Sequence, residues 1–231
     1  MSSKRGLQLE RVVLLGRTFE EYCGYFALEP KFLQQKKILD VASGVGSFAA
    51  EARARGIDVT SVDPIYALSP AEIESRCGPD LDHVLEAVQG LSTYVWKSYQ
   101  NPAHLRQLRE KAYRTFLSDY AREKGSHYLA DALPKLRFES NTFELCLASY
   151  FLFVYEDQFG YEFHRDSIRE IMRVTSGEAR VYPTVTFEAQ KSSYIERLKN
   201  DSLLSHLRFE IVQTDFEFLV NSNNFLRIAH L

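Results

Sequence analysis

Cysteine is scarce in this chain and badly placed for bridging. Cys23, Cys77 and Cys146 lie far apart and form no Cys-x-x-Cys pair. Such a set supports neither a disulfide framework nor a zinc site, and it suits a reducing compartment. Long apolar runs are missing as well. The longest nearly apolar stretch, Leu145 to Tyr155, is about half of what spans a bilayer. Behind Lys4 and Arg5, the run Val12 to Leu15 is too short for a signal-peptide core. Charge of one sign is also lacking. The formal net charge of −3 gives no whole-protein attraction to nucleic acid or to an anionic membrane. The expectation is a soluble, cytoplasmic chain with no membrane and no nucleic-acid partner. Its 231 residues, 45% hydrophobic and 26% charged, suffice for one sizeable α/β domain, and nothing in them sets an oligomeric state.

Local signals then divide the chain. Thr18-Phe19-Glu20-Glu21 has the form of a capping box, and Phe19, Tyr22, Cys23 and Phe26 follow at helical spacing until Pro30. Ile38 to Ala42 reads as a buried strand. It runs through Ser43-Gly44-Val45-Gly46 into an Ala-rich helix that Gly56 ends, and Ile57 to Val62 is a second strand closing at Asp63. Strand, glycine turn, helix, strand is a βαβ unit, which implies parallel strands. Strands are expected again at His127–Ala130, Phe143–Ala148 and Ala179–Tyr182, with helices at Phe163–Val174 and Ser193–Leu204. Phe209–Leu219 and Phe225–His230 read as a closing hairpin joined by Asn221-Ser222-Asn223-Asn224, since Asn tolerates positive φ. About 60 residues separate Asp63 from His127, where a crossover needs roughly 20 to 25. The excess carries helix starts at Ser69-Pro70 and Asn101-Pro102, with Leu105, Leu108, Ala112, Phe116 and Tyr120 marking one helical face. The chain is read as a single domain over 1–231, with an N-terminal helical segment over 1–35. Residues 66–125 are read as a crossover helix plus a helical insertion or lid.

The chemistry concentrates where strands end. Gly44 and Gly46 let the backbone bend tightly and let a ligand approach it, with the unpaired N–H groups of a helix start behind them. Asp63, 19 residues beyond Gly44, ends the second strand, where a carboxylate can accept both hydroxyls of a ribose. Ligands of open parallel sheets sit outside the carboxyl ends of the strands. The fold should therefore gather Ala42, Asp63, Asp131 and Ser149 along one edge.

On these residues, 36–63 and 126–231 resemble class I (Rossmann-like) S-adenosylmethionine-dependent methyltransferases. Asp40 through Gly46 matches the family's first motif, with Ala42 in place of its first Gly. The resemblance implies a three-layer fold whose seven-stranded, mostly parallel sheet has an antiparallel last strand. It implies that Asp40, Ala42, Ser43, Gly44 and Gly46 surround the methionine part of the cofactor. Asp63 would bind the ribose, Asp131 and Ala132 would meet the adenine, and Ser149 would border the methyl donor. Gly16 to Tyr22 and Tyr161 to His164 are similar to an uncharacterised, small-molecule-type branch, which implies a small-molecule methyl acceptor.

Methyl transfer from a sulfonium needs alignment more than acid–base chemistry, so no catalytic signature is obligatory. His164, as a base, and Tyr150 are the catalytic candidates, although a surface histidine and a packing tyrosine are the simpler readings. No Asn/Asp-Pro-Pro-Tyr motif follows strand four, which argues against methylation of nucleic-acid bases. Tyr94, Trp96 and Tyr99 are expected to pack the insertion down, with Arg106, Arg109, Lys111 and Arg114 on a solvated face and Arg106 paired to Glu110. Two other readings stay open. One is a nicotinamide-dependent oxidoreductase, although Ala42, Gly44 and Ser47 miss its full glycine pattern. The other is a non-catalytic cofactor-binding protein on the same fold.

Overall fold

The computed structural model describes residues 6, 7, 9 and 11–231, so Lys4 and Arg5 lie outside the described residues. Seven strands form one sheet. They are β1 (Lys37–Val41), β2 (Asp58–Val62), β3 (Tyr128–Leu129), β4 (Phe143–Ser149), β5 (Thr175–Tyr182), β6 (Leu207–Gln213) and β7 (Asn224–His230), in the order β3-β2-β1-β4-β5-β7-β6. The β1, β2, β3, β4 and β5 pairings are all parallel, whereas β7 runs antiparallel to both β5 and β6. The apolar runs in β1 and β4 follow from burial on both faces. Ile38, Leu145 and Leu147 meet one core with Tyr22, Phe48 and Phe116. Leu39, Cys146 and Ala148 meet the other with Ile168, Met172 and Leu198.

Helices cover both faces: α1 (Phe19–Phe26), α2 (Pro30–Leu33), α3 (Phe48–Arg53), α4 (Pro70–Val88), α5 (Pro102–Glu123), α6 (Tyr161–Val174) and α7 (Tyr194–Lys199). The capping box before α1 forms as read, with Thr18 accepting from the Glu21 N–H while the Glu21 carboxylate accepts from the Thr18 N–H. Ser69 and Asn101 cap α4 and α5 ahead of their N1 prolines. Between β2 and β3, α5 packs Phe116 and Tyr120 into the sheet core, and α4 reaches the same core through Ile73 and Cys77. The later turns of α4 build a separate apolar cluster with Tyr94, Leu105, Phe218 and Leu7.

Four expectations need correction. First, β6 stops at Gln213, so no tight hairpin joins it to β7. Residues 214–223 leave the sheet because their aromatics find better burial on the insertion. Phe218 packs on Tyr94, Trp96 and Tyr99, and backbone bonds from Val95 N to Phe218 O and from Val220 N to Thr93 O, each 2.8 Å, fix the excursion. Second, the helix expected to run to Leu204 ends at Lys199. Asp201 then accepts from the Leu203 N–H and starts a separate 3-10 turn. Third, β3 has only two residues. Fourth, Arg109 is not on a solvated face. It is 3% exposed and ion-paired to Glu21, whereas Arg106 does lie beside Glu110, at 3.7 Å.

The register aligns the strand ends that matter. Val41 pairs with Val62 and Ala148, and Val62 with Leu129. The segments after β1, β2, β3 and β4 therefore emerge side by side, on the edge where open parallel sheets bind ligands.

Candidate active site

The bend after β1 is left-handed at two places, Ala42 (φ 52°) and Gly44 (φ 54°). Glycine occupies that region freely, while a Cβ costs roughly 1–2 kcal/mol. Ala42→Gly is accordingly expected to stabilise the fold by about 1 kcal/mol, read as a rise in the urea midpoint at unchanged slope. An unchanged midpoint would mean that the bend holds no strain.

The carboxylate of Asp63 closes this bend. Its Oδ2 accepts from the Gly44 N–H at 2.9 Å and its Oδ1 from the Ile65 N–H at 3.0 Å. Each oxygen keeps acceptor capacity for one further hydrogen bond. Burial raises this carboxyl group above its ordinary range, against the opposing pull of the Ile65 and Gly44 N–H groups. Tyr66 secures the same turn, hydrogen-bonding Ser43 Oγ at 2.7 Å and Gly44 O at 2.8 Å.

The strand ends meet in one cavity of about 390 Å³, lined by Ala42, Ser43, Gly44, Asp63, Asp131, Ala132, Ser149 and Tyr150. Asp131 also accepts from the Ala132 N–H at 3.0 Å and from Arg137 Nε at 3.1 Å. The hydroxyl of Ser149 is buried, with the residue 7% exposed, and has no hydrogen-bond partner among the described residues. Tyr150 follows at φ 51°, a strained conformation at the mouth of β4.

Three expected site residues stand elsewhere. Asp40 lies one layer deeper, 1% exposed, and receives the Tyr22 hydroxyl at 3.0 Å. Tyr22, stacked on Phe48, is what faces the cavity. Burial holds the Asp40 carboxyl well above its usual range. Gly46 is buried, donates to Ser43 O at 3.2 Å, and leaves only 3.3 Å between a would-be Cβ and Arg17 O. Its smallness admits the N-terminal segment, not a ligand. His164 lies neither on the surface nor in the cavity lining. It is fully buried, with both ring nitrogens at carbonyl oxygens, Gly160 O at 3.0 Å and Leu152 O at 2.9 Å.

The N-terminal segment supplies what sequence reading missed. Leu7, Leu9 and residues 12–15 line the cavity, and Arg17 enters it beside Tyr150, its guanidinium 4.5 Å from that ring. Arg17 Nε is buried without a partner, while its Nη1 donates to Leu15 O and Gly16 O. The segment is locked onto the bend by the Ser47 N–H, which donates to Arg17 O at 2.8 Å. At Gly16 a Cβ would lie 2.3 Å from Val45 O, so only glycine allows that approach. Arg109 completes the wall. Its guanidinium is held by Glu21, Tyr99 and Gly16 O. Burial works against the Glu21 charge, and Arg109 overcomes it, bringing that carboxyl down to about 2.

The strand order, the reversed β7 and the glycine bend at the carboxyl edge define the class I (Rossmann-like) methyltransferase fold. The chain is 36% identical over 226 residues to the uncharacterised protein MJ0045 of Methanocaldococcus jannaschii, covering 97% of this chain and 99% of that one. It belongs to the family of MJ0045. No protein-family model matches it. Among solved structures, the PH0226 protein of Pyrococcus horikoshii OT3 superposes with a TM-score of 0.51 at 16% identity, covering 91% of this chain and 89% of that one. Magnesium protoporphyrin IX methyltransferase of Synechocystis PCC 6803, solved with bound SAM, gives a TM-score of 0.45 at 11% identity, covering 92% and 77%.

Proposed function

We propose that this chain is a methyltransferase that uses S-adenosylmethionine and acts on a small-molecule acceptor. The observation that carries the reading is the Asp63–Gly44 hydrogen bond inside the cavity, which leaves both carboxylate oxygens free to accept one more hydrogen each. Adjacent ribose hydroxyls match that pair of acceptors. Other lining groups fit the same molecule. The amino-acid carboxylate of the cofactor matches Arg17, a cation with a partnerless buried Nε, and the adenine end matches Asp131 and Ala132. Ser149 and Tyr22 border the transfer point.

When bound, the cofactor supplies an already activated methyl group, so the protein's contribution is alignment and exclusion of water. Leu7, Leu9, residues 12–15 and the insertion roof the cavity, and the strained Ser149–Tyr150 turn fixes one wall. The enclosure is what points to a small molecule. A macromolecular acceptor would need an open face.

Melting curves with each ligand test the class. S-adenosylmethionine and S-adenosylhomocysteine at a hundred times Kd should stabilise the fold by about 2.7 kcal/mol, and NAD should not. Stabilisation by NAD alone would overturn the reading. Arg17→Met sharpens it. Loss of a charge-assisted bond, about 1.5–3 kcal/mol, should weaken S-adenosylhomocysteine roughly 10- to 100-fold. Methylthioadenosine, which lacks the carboxylate, should bind the variant as well as it binds wild type. Equal weakening of both would assign Arg17 a packing role.

A further inference from the structure

The two edges of the sheet are built differently. At one edge, β3 has two residues, too few to template another chain. At the other, β6 has seven, in unbroken register with β7. It carries no proline, lysine or bulge of the kind that blunts an exposed edge. Among the described residues its pairing partner is β7 alone. Which backbone groups stay free follows from the ladder. Just beyond its two ends, Leu231 N donates to His206 O at 3.1 Å and Thr214 N to Asn223 O at 3.0 Å. Bonded pairs alternate along an antiparallel ladder, so Arg208, Glu210 and Val212 bond to β7. Leu207, Phe209, Ile211 and Gln213 therefore turn their N–H and C=O groups away from the sheet. Side chains alternate too. Leu207, Phe209 and Ile211 border the apolar core on one face, and Arg208 and Glu210 are exposed on the other.

We propose that β6 is the contact of a symmetric dimer, pairing antiparallel with β6 of a second copy about a twofold axis at Phe209. In that register the free groups of Leu207 meet those of Ile211 in the copy, and Phe209 meets its own counterpart. Each such pair exchanges two backbone bonds. Arg208 then stands opposite Glu210 of the copy, and Glu210 opposite Arg208, at the closer-spaced positions where opposite charges attract. Glu210 already lies 3.4 Å from Arg227 and has a second oxygen for the new partner. On the other face Leu207, Phe209 and Ile211 of both chains form one apolar row, continuing the core they border. Other axes fail on charge. An axis at Arg208 or at Glu210 sets like charges face to face, and one at Ile211 sets Glu210 against Val212. Two seven-stranded sheets become one. Because β6 runs parallel to β5, the carboxyl edges of the copies point opposite ways, and the two cavities lie at opposite edges of the joint sheet.

Sedimentation equilibrium on the full chain is the test. Wild type should approach twice the chain mass as concentration rises. Arg208→Glu sets two carboxylates against each other across the axis, and Glu210→Arg sets two guanidinium groups against each other. Either change alone should weaken the dimer by roughly tenfold or more. Both positions are exposed, so circular dichroism should show each variant folded. Mixed one to one, the two variants restore both opposite-charge pairs. The mixture should form a heterodimer roughly tenfold or more tighter than either variant forms alone. The amides of Leu207, Phe209 and Ile211 should exchange slowly in the wild-type dimer and fast in each separate variant. A wild-type chain that stays monomeric at its highest soluble concentration overturns the proposal. So does a dimer that Arg208→Glu leaves intact, or a mixture that associates no more tightly than its components.

Discussion

Asp63→Ala should lower affinity for S-adenosylhomocysteine by on the order of a hundredfold. Two hydroxyls donating to one carboxylate are charge-assisted bonds, each about 1.5–3 kcal/mol. Part of that is offset by water entering the vacated space, so about 3 kcal/mol is a reasonable net loss. The substitution also leaves the N–H groups of Gly44 and Ile65 without their acceptor, which loosens the bend itself. Ligand-free melting should therefore fall by a few degrees, a change too small to explain the affinity loss. Asp63→Asn separates the contributions, because its single amide oxygen can cap only one of the two N–H groups. Its affinity should lie between wild type and alanine. An Asp63→Ala protein that binds within twofold of wild type would mean that the carboxylate serves the turn alone.

Arg109→Met should be the most destabilising single change in the wall, by about 3–5 kcal/mol, since it strands a buried charge on Glu21. For a chain of this length that corresponds to roughly 10 °C in Tm. The acid side gives a sharper signature. In wild type the Glu21 carboxyl sits at about 2 against an ordinary 4.5. Its stabilisation is complete above 4.5 and is lost as pH falls toward 2. Without Arg109, burial dominates and raises that carboxyl instead. Relative to wild type, whose Glu21 contribution is flat over that range, the variant should then gain stability as pH drops from 7 toward 4. The double substitution Glu21→Gln with Arg109→Met should recover part of the loss. Parallel pH–stability curves for wild type and variant would contradict this account of the pair.

The pair also shows how a sequence is read well locally and poorly at a distance. Glu21 was legible as the N3 member of a capping box, and it does cap α1. Its second partner, 88 residues away, leaves no local trace. Arg109 could still have been found, since Leu105, Arg109, Ala112, Phe116 and Tyr120 share one stripe at helical spacing. Those five residues are the buried face of α5, whereas Leu108 is only half-buried. A charged residue within an apolar stripe is the signal, and hydrophobicity alone passes over it.

The glycine bend and Asp63 were legible because a βαβ unit ties the motif to its geometry within a few dozen residues. The same holds for the gathering of Ala42, Asp63, Asp131 and Ser149, which strand order dictates. Arg17 was not legible, because its place depends on a chain segment laid across the sheet edge, held by Ser47 and allowed by Gly16. Phe218 escaped for a related reason. Its strand-like sequence leaves the sheet only because the insertion offers aromatic partners. His164 looked like a helix-start residue on the surface, yet two backbone carbonyls enclose it.

Crystals grown with S-adenosylhomocysteine test the central claim most directly. Difference density is expected along the edge from Asp131 to Ser149, with both ribose hydroxyls within hydrogen-bond distance of Asp63 and the amino-acid carboxylate on Arg17. Density that places the nucleoside elsewhere, or an Asp63 that contacts only Gly44 and Ile65 while the ligand is bound, would contradict the account.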